Sequence, residues 1–326
     1  SGFRNFNELE FIPSENMNVI YGDNAQGKTN LLEAIWLFCG AKSFRGAKDS
    51  EIKKIGSENA VLNLTFESGE VEKEEKIIIE NRRKAVINNK PLSSPSLLAG
   101  NFYAIVFSPS DLSLIKDGPK ERRKFIDIAI GQLYPKYISI LRDYSRAVTQ
   151  RNVVLKQSLK ENVDNSLISA FEAEICEKGK KIISYRLRYL EIIKPILTEI
   201  YSGLTGKKEN VEVNYINSVG NSDLTQYLVE NRKNDALAGI TSAGPHRDDI
   251  EFLINGLNAK KYASQGQMRS IVLCLKLSEA HVIKKITGEF PIALLDDVMS
   301  ELDPSRQEYI LNHIKDWQVF ITCCDP

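Results

Sequence analysis

Hydrophobic and polar positions along this chain follow two periods, and the periods fall in blocks. Residues 9–12 and 17–21 read as strands, and residues 29–38 carry apolar side chains at helical spacing. Residues 60–66, 71–80 and 84–88 are again strand-like, punctuated by Ser68-Gly69 and Asn88-Asn89, which predicts an antiparallel sheet. A short apolar run over 102–107 predicts a buried strand, and Ser108-Pro109-Ser110-Asp111 then supplies cap and first-turn chemistry for a helix.

The pattern changes at Pro119. From there to Tyr201 apolar residues recur at helical spacing among many charges, as in Phe125, Ile126, Ala129, Ile130 and Leu133, and later Ile182, Ile183, Leu187 and Leu190. The polar stretch 160–165 is expected to turn one helix into the next, and Pro135, Gly179 and Pro195 are expected to interrupt any sustained coiled-coil heptad. After Gly206 the chain alternates again. Residues 211–216 and 250–254 read as strands, Asn255-Gly256 as a turn, 267–286 as an amphipathic helix, and 291–295 and 319–322 as short apolar strands. The expected architecture is one discontinuous α/β domain, residues 1–118 and 204–326, with a helical lobe inserted over 119–203.

Composition narrows the picture only a little. The 326 residues suffice for two compact units, and 42% hydrophobic with 26% charged content is that of an ordinary globular chain. Lys and Arg number 43, as do Asp and Glu, so any nucleic-acid surface has to be local. Five cysteines without C-x-x-C spacing fit reduced thiols, and neither a membrane-length apolar run nor a signal peptide is visible, so a cytoplasmic location without membrane association is expected. Because the chain opens on Ser1-Gly2 and stops at Cys323-Cys324-Asp325-Pro326, short terminal pieces are expected to be missing.

The chemistry sits near both ends. Val19-Ile20-Tyr21 runs into Gly22-Asp23-Asn24-Ala25-Gln26-Gly27-Lys28-Thr29, which fits the Walker A pattern G-x-x-x-x-G-K-[ST] between a strand and a helix. Gly22 and Gly27 permit backbone that aims N–H groups at phosphates, and the helix start adds its positive dipole end. Lys28 is expected on the β- and γ-phosphates of ATP and Thr29 on Mg2+. Near the other end, Ile292-Ala293-Leu294-Leu295 leads into Asp296-Asp297, placing two carboxylates at the C-terminal edge of a strand, where α/β sheets bind ligands. Asp296 is the candidate magnesium residue and Asp297 the candidate for orienting or deprotonating water. Between them, Ser264-Gln265-Gly266-Gln267 opens a helix and suits either plain capping or the γ-phosphate of a partner copy, which would make ATP the glue of a dimer.

In order along the chain, Phe3-Arg4-Asn5-Phe6, Gly22 to Thr29 with Asn30-Leu31-Leu32-Glu33-Ala34, Lys42-Ser43-Phe44-Arg45, Phe107-Ser108-Pro109, Gly118-Pro119 with Arg122-Arg123, Gly244-Pro245-His246-Arg247-Asp248-Asp249, Ser264 to Gln267 with Arg269, and Leu294 to Asp303 resemble the RecF family of recombination-mediator ATPases in the ABC/SMC group. The resemblance spans essentially the whole chain. It implies an ABC-type P-loop ATPase head with an antiparallel β subdomain beside the nucleotide and an α-helical lobe. It also implies ATP-dependent homodimerisation, binding of double-stranded DNA near junctions with single strands, and work with RecR and RecO in loading RecA at gaps and stalled forks during replication, repair and the SOS response. By the family pattern, Gly22 to Thr29 and Arg4 belong to the ATP site, Ser264 to Gln267 cap the partner's nucleotide, and Asp296 and Asp297 serve magnesium and water.

Some positions depart from the pattern of transport-type ATPases. Asp297 replaces their glutamate, Thr322-Cys323-Cys324 stands where their switch histidine follows a strand, and no glutamine occupies 102–111 as a nucleotide sensor. The shorter Asp297 and the missing histidine imply slow hydrolysis, with ATP as a timer for a DNA-bound dimer, and the resemblance implies that DNA stimulates it. His246, one of three histidines, is expected to be structural and to link the lobes, with a metal role as the alternative. Basic candidates for DNA are Arg45, then Arg82-Arg83-Lys84, Lys120 with Arg122-Arg123-Lys124, and Lys178 with Lys180-Lys181. Competing readings are an SMC-type or nuclease-linked head and a transporter ATPase subunit.

Overall fold

A computed structural model describes residues 1–160, 164–220 and 222–324. The first part of the chain forms β1 (Met17–Tyr21), α1 (Lys28–Leu37), the one-turn α2 (Asp49–Ile52), β2 (Ala60–Ser68), β3 (Val71–Ile79), β4 (Arg83–Ile87), β5 (Lys90–Pro91) and β6 (Ala104–Phe107). Helices then dominate: α3 (Ser113–Lys116), α4 (Pro119–Leu133), α5 (Pro135–Gln157) and α6 (Asn165–Thr205). The remainder comprises β7 (Val211–Ile216), α7 (Leu224–Glu230), α8 (Arg232–Ala238), β8 (Asp249–Ile254), β9 (Leu257–Asn258), α9 (Ala259–Tyr262), α10 (Gln265–Thr287), β10 (Ile292–Asp296), α11 (Pro304–Ile314) and β11 (Val319–Cys323). Among the described residues no helix is long and apolar enough to cross a membrane.

The chain packs as two compact units. The first comprises Ser1–Leu112, Ile196–Glu209 and Gln265–Pro326. It holds a parallel sheet of order β1-β11-β10-β6, whose inner strands are almost wholly apolar and buried, as a sheet covered on both faces requires. An antiparallel sheet of order β2-β3-β4-β5 belongs to the same unit. Its last hairpin turns on Asn88 and Asn89, both at positive φ (46° and 61°), the conformation that a two-residue turn matched to strand twist demands.

The second unit, Ser113–Pro195 with Asn210–Ser264, is larger than the expected insertion over 119–203. It takes in the sheet β7-β8-β9, and charged side chains of the helices bind the start of β8 and the residues leading into it. Arg122 of α4 grips Asp249 through two bonds of 2.8 and 3.0 Å, Arg123 donates to the Asp248 carbonyl, and Arg186 of α6 donates to the Pro245 carbonyl at 2.7 Å. Conversely, the end of α6 belongs to the first unit, where Tyr309 donates to the Ile200 carbonyl and a Cβ on Gly203 would stand 2.6 Å from the Tyr309 hydroxyl.

Three local expectations change. Residues 9–12 form no strand: β1 is an edge strand that pairs with β11, and these residues join no ladder, leaving Ile12 96% exposed. The segment after β6 makes a 3-10 turn over Pro109–Leu112 before the short α3. Gly179 and Pro195 do not break α6, which runs for 41 residues. Gly179 is there for close approach, since a Cβ would meet Leu224 at 3.2 Å and Tyr144 at 3.5 Å. The turn expected over 160–165 falls largely on residues 161–163, which lie outside the described residues.

The core of the second unit is partly ionic. Arg151 is fully buried and donates to Glu172, Asp235 at 2.7 Å, Thr241 and the Leu228 carbonyl, while Arg232 closes the set on Glu172. Removing one member of such a cluster strands the others without solvent. Arg151→Met should therefore destabilise the protein by about 3–5 kcal/mol in urea unfolding, the range for a broken buried pair.

In the antiparallel sheet, Glu75 of β3 is buried with neither carboxyl oxygen hydrogen-bonded. Burial pushes its carboxyl up from 4.5 to about 8, with Lys73 pulling the other way. A carboxyl whose folded-state value is raised binds its proton more tightly when folded, so its contribution to stability is complete below the unfolded value and is lost as pH rises through the folded one. Thermal unfolding at mildly acidic, neutral and mildly alkaline pH should show Glu75→Gln gaining on the parent chain as pH rises, by on the order of 1.4 kcal/mol per pH unit inside that window.

Candidate functional site

The loop between β1 and α1 is built from backbone that side chains disfavour. Gly22, Ala25 and Gly27 have φ of 145°, 68° and 104°, and Gly27 stands at the N-cap of α1 without any side-chain cap. A Cβ on Gly27 would meet the Asn5 side chain at 2.6 Å and Phe6 at 2.9 Å, because the Phe3-Arg4-Asn5-Phe6 turn packs on the loop. Asn5 donates to the Gln26 carbonyl at 3.0 Å and accepts from Asn30, tying that turn to both the loop and the helix. The first-turn N–H groups of α1 thus have no side-chain cap, an arrangement that suits an anion.

Lys28 curls back over the loop. Its ammonium donates to the Gly22 carbonyl at 2.5 Å and the Asp23 carbonyl at 3.2 Å, and stands 3.9 Å from the Cys324 sulfur, whose thiol bonds the Asn24 side chain. Thr29 donates to Asp296 Oδ1 at 2.7 Å. Asp296, the last residue of β10, is buried, and burial pushes its carboxyl above the usual range while the hydroxyls of Thr29 and Thr322 pull it back. A hydroxyl and a carboxylate side by side are the hard oxygen donors that magnesium takes, and the lysine and helix start beside them suit phosphate. The residues present fit a magnesium nucleotide.

Asp297 leaves the strand at φ 51°, its N–H donating to Thr322 and its carbonyl accepting from Ser300. Ser264 immediately precedes α10, and Gln265, Gly266 and Gln267 form its first turn. Gln267 donates to Glu209 at 2.7 Å, and the Gly266 carbonyl accepts from Ser270 and Arg306. Arg269 donates to the Glu301 carbonyl at 2.6 Å and Arg306 to Ser270 at 2.9 Å, so the start of α10 is fastened to the turn that follows Asp297 and to α11.

Several other sequence candidates are engaged by neighbouring acids and carbonyls. Arg4, at φ 53°, holds the Glu33 carboxylate with two bonds of 2.8 Å and donates its remaining nitrogen to the Glu51 carbonyl; none of its bonds reaches the Gly22–Thr29 loop. Glu33, fully buried on α1, also accepts from Ser43 at 2.5 Å, and Arg45 stands 3.8 Å away while donating to Asn30. Arg83 is taken up by Asp49 and the Ala41 carbonyl, whereas Arg82 is exposed and exposed Lys84 pairs with Glu80. Arg122 and Arg123 are spent on Asp249 and Asp248, Lys180 and Lys181 pair with Asp223 and Glu177, and Lys120 and Lys124 are exposed.

His246 is structural, and within the second unit alone. Its Nδ1 meets the Tyr144 hydroxyl at 2.6 Å and its Nε2 the Thr241 carbonyl at 3.0 Å, so the proton sits on Nε2. Burial lowers its pKa to about 4, and the imidazole stays neutral. Sequence reasoning missed the role of Glu33, an acid in an otherwise apolar helix face, and of Thr322, the polar residue in an apolar strand; each was visible as an interruption of its pattern.

The family described as RecF/RecN/SMC N terminal domain matches residues 1–326. The DNA replication and repair protein RecF of Ruminiclostridium cellulolyticum is 39% identical over 98% of this chain and 90% of its own length, and that of Acetivibrio thermocellus is 40% identical over 99% and 91%. The solved structure of the recombination mediator protein RecF with ATP superposes with a TM-score of 0.95 at 36% identity, covering 100% of this chain and 90% of that one. The Smc head domain from Pyrococcus furiosus, at 17% identity and a TM-score of 0.53, shares the fold. With its phosphate loop, its paired aspartates and this likeness over the whole chain, the protein belongs to the RecF family.

Proposed function

We propose that this chain is an ATP-dependent DNA-binding protein of recombinational repair, a slow DNA-stimulated ATPase that uses hydrolysis as a switch. The observation that carries the reading is the convergence of Lys28, Thr29 and Asp296 at the start of α1 and the end of β10. The ATP named for the solved RecF relative supports nucleotide binding. The family match favours this reading over a transporter subunit.

In this mechanism Gly22, Asp23, Asn24, Ala25, Gln26 and Gly27 offer backbone N–H groups to the phosphates of ATP. Lys28 exchanges its loop carbonyls for phosphate oxygens, an exchange favoured because an ammonium binds an anion more strongly than a neutral acceptor. Thr29 and Asp296 would hold Mg2+, which when bound supplies positive charge against the phosphates. Asp297 orients the attacking water and takes its proton. Ser264, Gln265, Gly266 and Gln267 cap the nucleotide of a second copy, so ATP joins a homodimer. Arg4, which holds Glu33 of α1, joins the loop residues as a member of the ATP site.

The proposed DNA surface contains Arg45, Arg82 and Lys84, and leaves out Arg83, which Asp49 and Ala41 already hold. Its substrate is duplex DNA near single-strand junctions. The RecFOR pathway named for the solved relative supports RecR and RecO as partners in loading RecA, in the cytoplasm.

Sedimentation with and without ATP tests the dimer. ATP shared between copies should stabilise it by about 2.7 kcal/mol at 100 times the dissociation constant. Ser264→Arg should abolish the shift and leave ATP binding by the monomer intact; loss of both would sink the assignment to the partner's nucleotide. Duplex affinity, read by fluorescence anisotropy across roughly 50–200 mM salt, should fall with a log–log slope of about 0.9 per phosphate contact. Arg45→Ala should lower that slope by about 1, and a slope of zero would rule out phosphate contacts.

A further inference from the structure

We infer that Thr322 is a positioning residue for the proposed hydrolysis, its hydroxyl fixing the backbone turn that sets Asp297 beside Asp296. This rests on the ATPase reading above. Strand β11 pairs in parallel with β10 so that Thr322 stands opposite Asp296. Its neighbours Val319, Phe320 and Ile321 are apolar and buried, and Thr322 itself is 1% exposed. A hydroxyl in such a place must be hydrogen-bonded to be tolerated.

It is bonded on both sides. Thr322 Oγ1 accepts the Asp297 N–H at 2.9 Å, and stands 3.2 Å from Asp296 Oδ1 and 3.4 Å from the Leu295 carbonyl as a donor. The same Asp296 oxygen accepts from Thr29 at 2.7 Å. One carboxylate is therefore held from α1 and from β11 together.

The turn needs this support. Asp297 has φ 51°, the left-handed region that residues with a Cβ avoid and that aspartate enters more readily than most. Had β10 continued, residues 296 and 297 would point to opposite faces of the sheet. The left-handed step ends that alternation directly after Asp296. Without the Thr322 hydroxyl the Asp297 N–H loses its partner, and the backbone is free to relax. Packing alone does not ask for a hydroxyl: valine has the same branched shape and suits an apolar strand.

Thr322→Val and Thr322→Ser separate the hydroxyl from the shape. Three readouts apply: amide exchange by mass spectrometry over residues 293–300 without nucleotide, affinity for a fluorescent ATP analogue, and kcat at saturating ATP with duplex DNA. In Thr322→Val the Asp297 amide should exchange about tenfold faster and kcat should fall about tenfold or more, the scale of one lost hydrogen bond, with ATP affinity within about threefold. Thr322→Ser should stay near the parent in all three. The inference is overturned if Thr322→Val exchanges and turns over like the parent, if serine falls as far as valine, or if ATP affinity drops along with kcat. Should the valine variant not fold, Thr322→Ala is read by the same criteria. Absence of turnover in the unsubstituted protein would remove the ATPase reading, and the exchange measurement would still decide whether Thr322 holds the turn.

Discussion

The hydrogen bond from Thr29 to Asp296 joins residues 267 positions apart, and it forms only because β1, β10 and β11 end together at one edge of a parallel sheet. Parallel strands cannot be joined by tight turns, so each return needs a crossover, and the long excursion between β6 and β10 is compatible with the sheet for that reason. The edge where these strands end is the edge at which open α/β sheets present ligand-binding loops. Burying Asp296 there is costly, and the hydroxyls of Thr29 and Thr322 offset that cost from two different elements.

The same constraint recurs at other buried charges of this chain. Glu33 lies inside α1 and draws Arg4 and Ser43 onto it, which in turn seats the Phe3-Arg4-Asn5-Phe6 turn against the phosphate loop. Arg151 in the second unit draws Glu172, Asp235 and Thr241 around itself. The Gly244-Pro245-His246-Arg247-Asp248-Asp249 segment works likewise, accepting from Arg186, Arg123 and Arg122 and meeting Tyr144 through His246. A buried ion tolerates few arrangements of its neighbours, so each of these groups specifies which segments meet as well as holding them.

That use of charge bears on how basic clusters are read. Arg83, Arg122 and Arg123 stand in runs that look like nucleic-acid surfaces, yet each is committed to an acid or a carbonyl of its own unit. Arg82, Lys84, Lys120 and Lys124, in the same runs, remain exposed. In a chain with equal numbers of acidic and basic residues, the arginines that build the core and those that face solvent cannot be told apart by their neighbours in sequence.

What the amino-acid order determined by itself was whatever depends on nearest neighbours along the chain. The glycines of the phosphate loop, the apolar run ending in Asp296, the asparagine turns and the helical spacing of 119–201 are local, since backbone conformation and periodicity are set within a few residues. Pairing was decided only in three dimensions. Residues 9–12 have strand composition but join no ladder, Pro195 sits in a helix that runs through it, and β7 to β9 fall in with the helices because of arginines far off in sequence. Arg4 bonds Glu33, and Thr322 accepts the Asp297 N–H, because hydrogen bonds and burial belong to whichever groups the fold brings within reach.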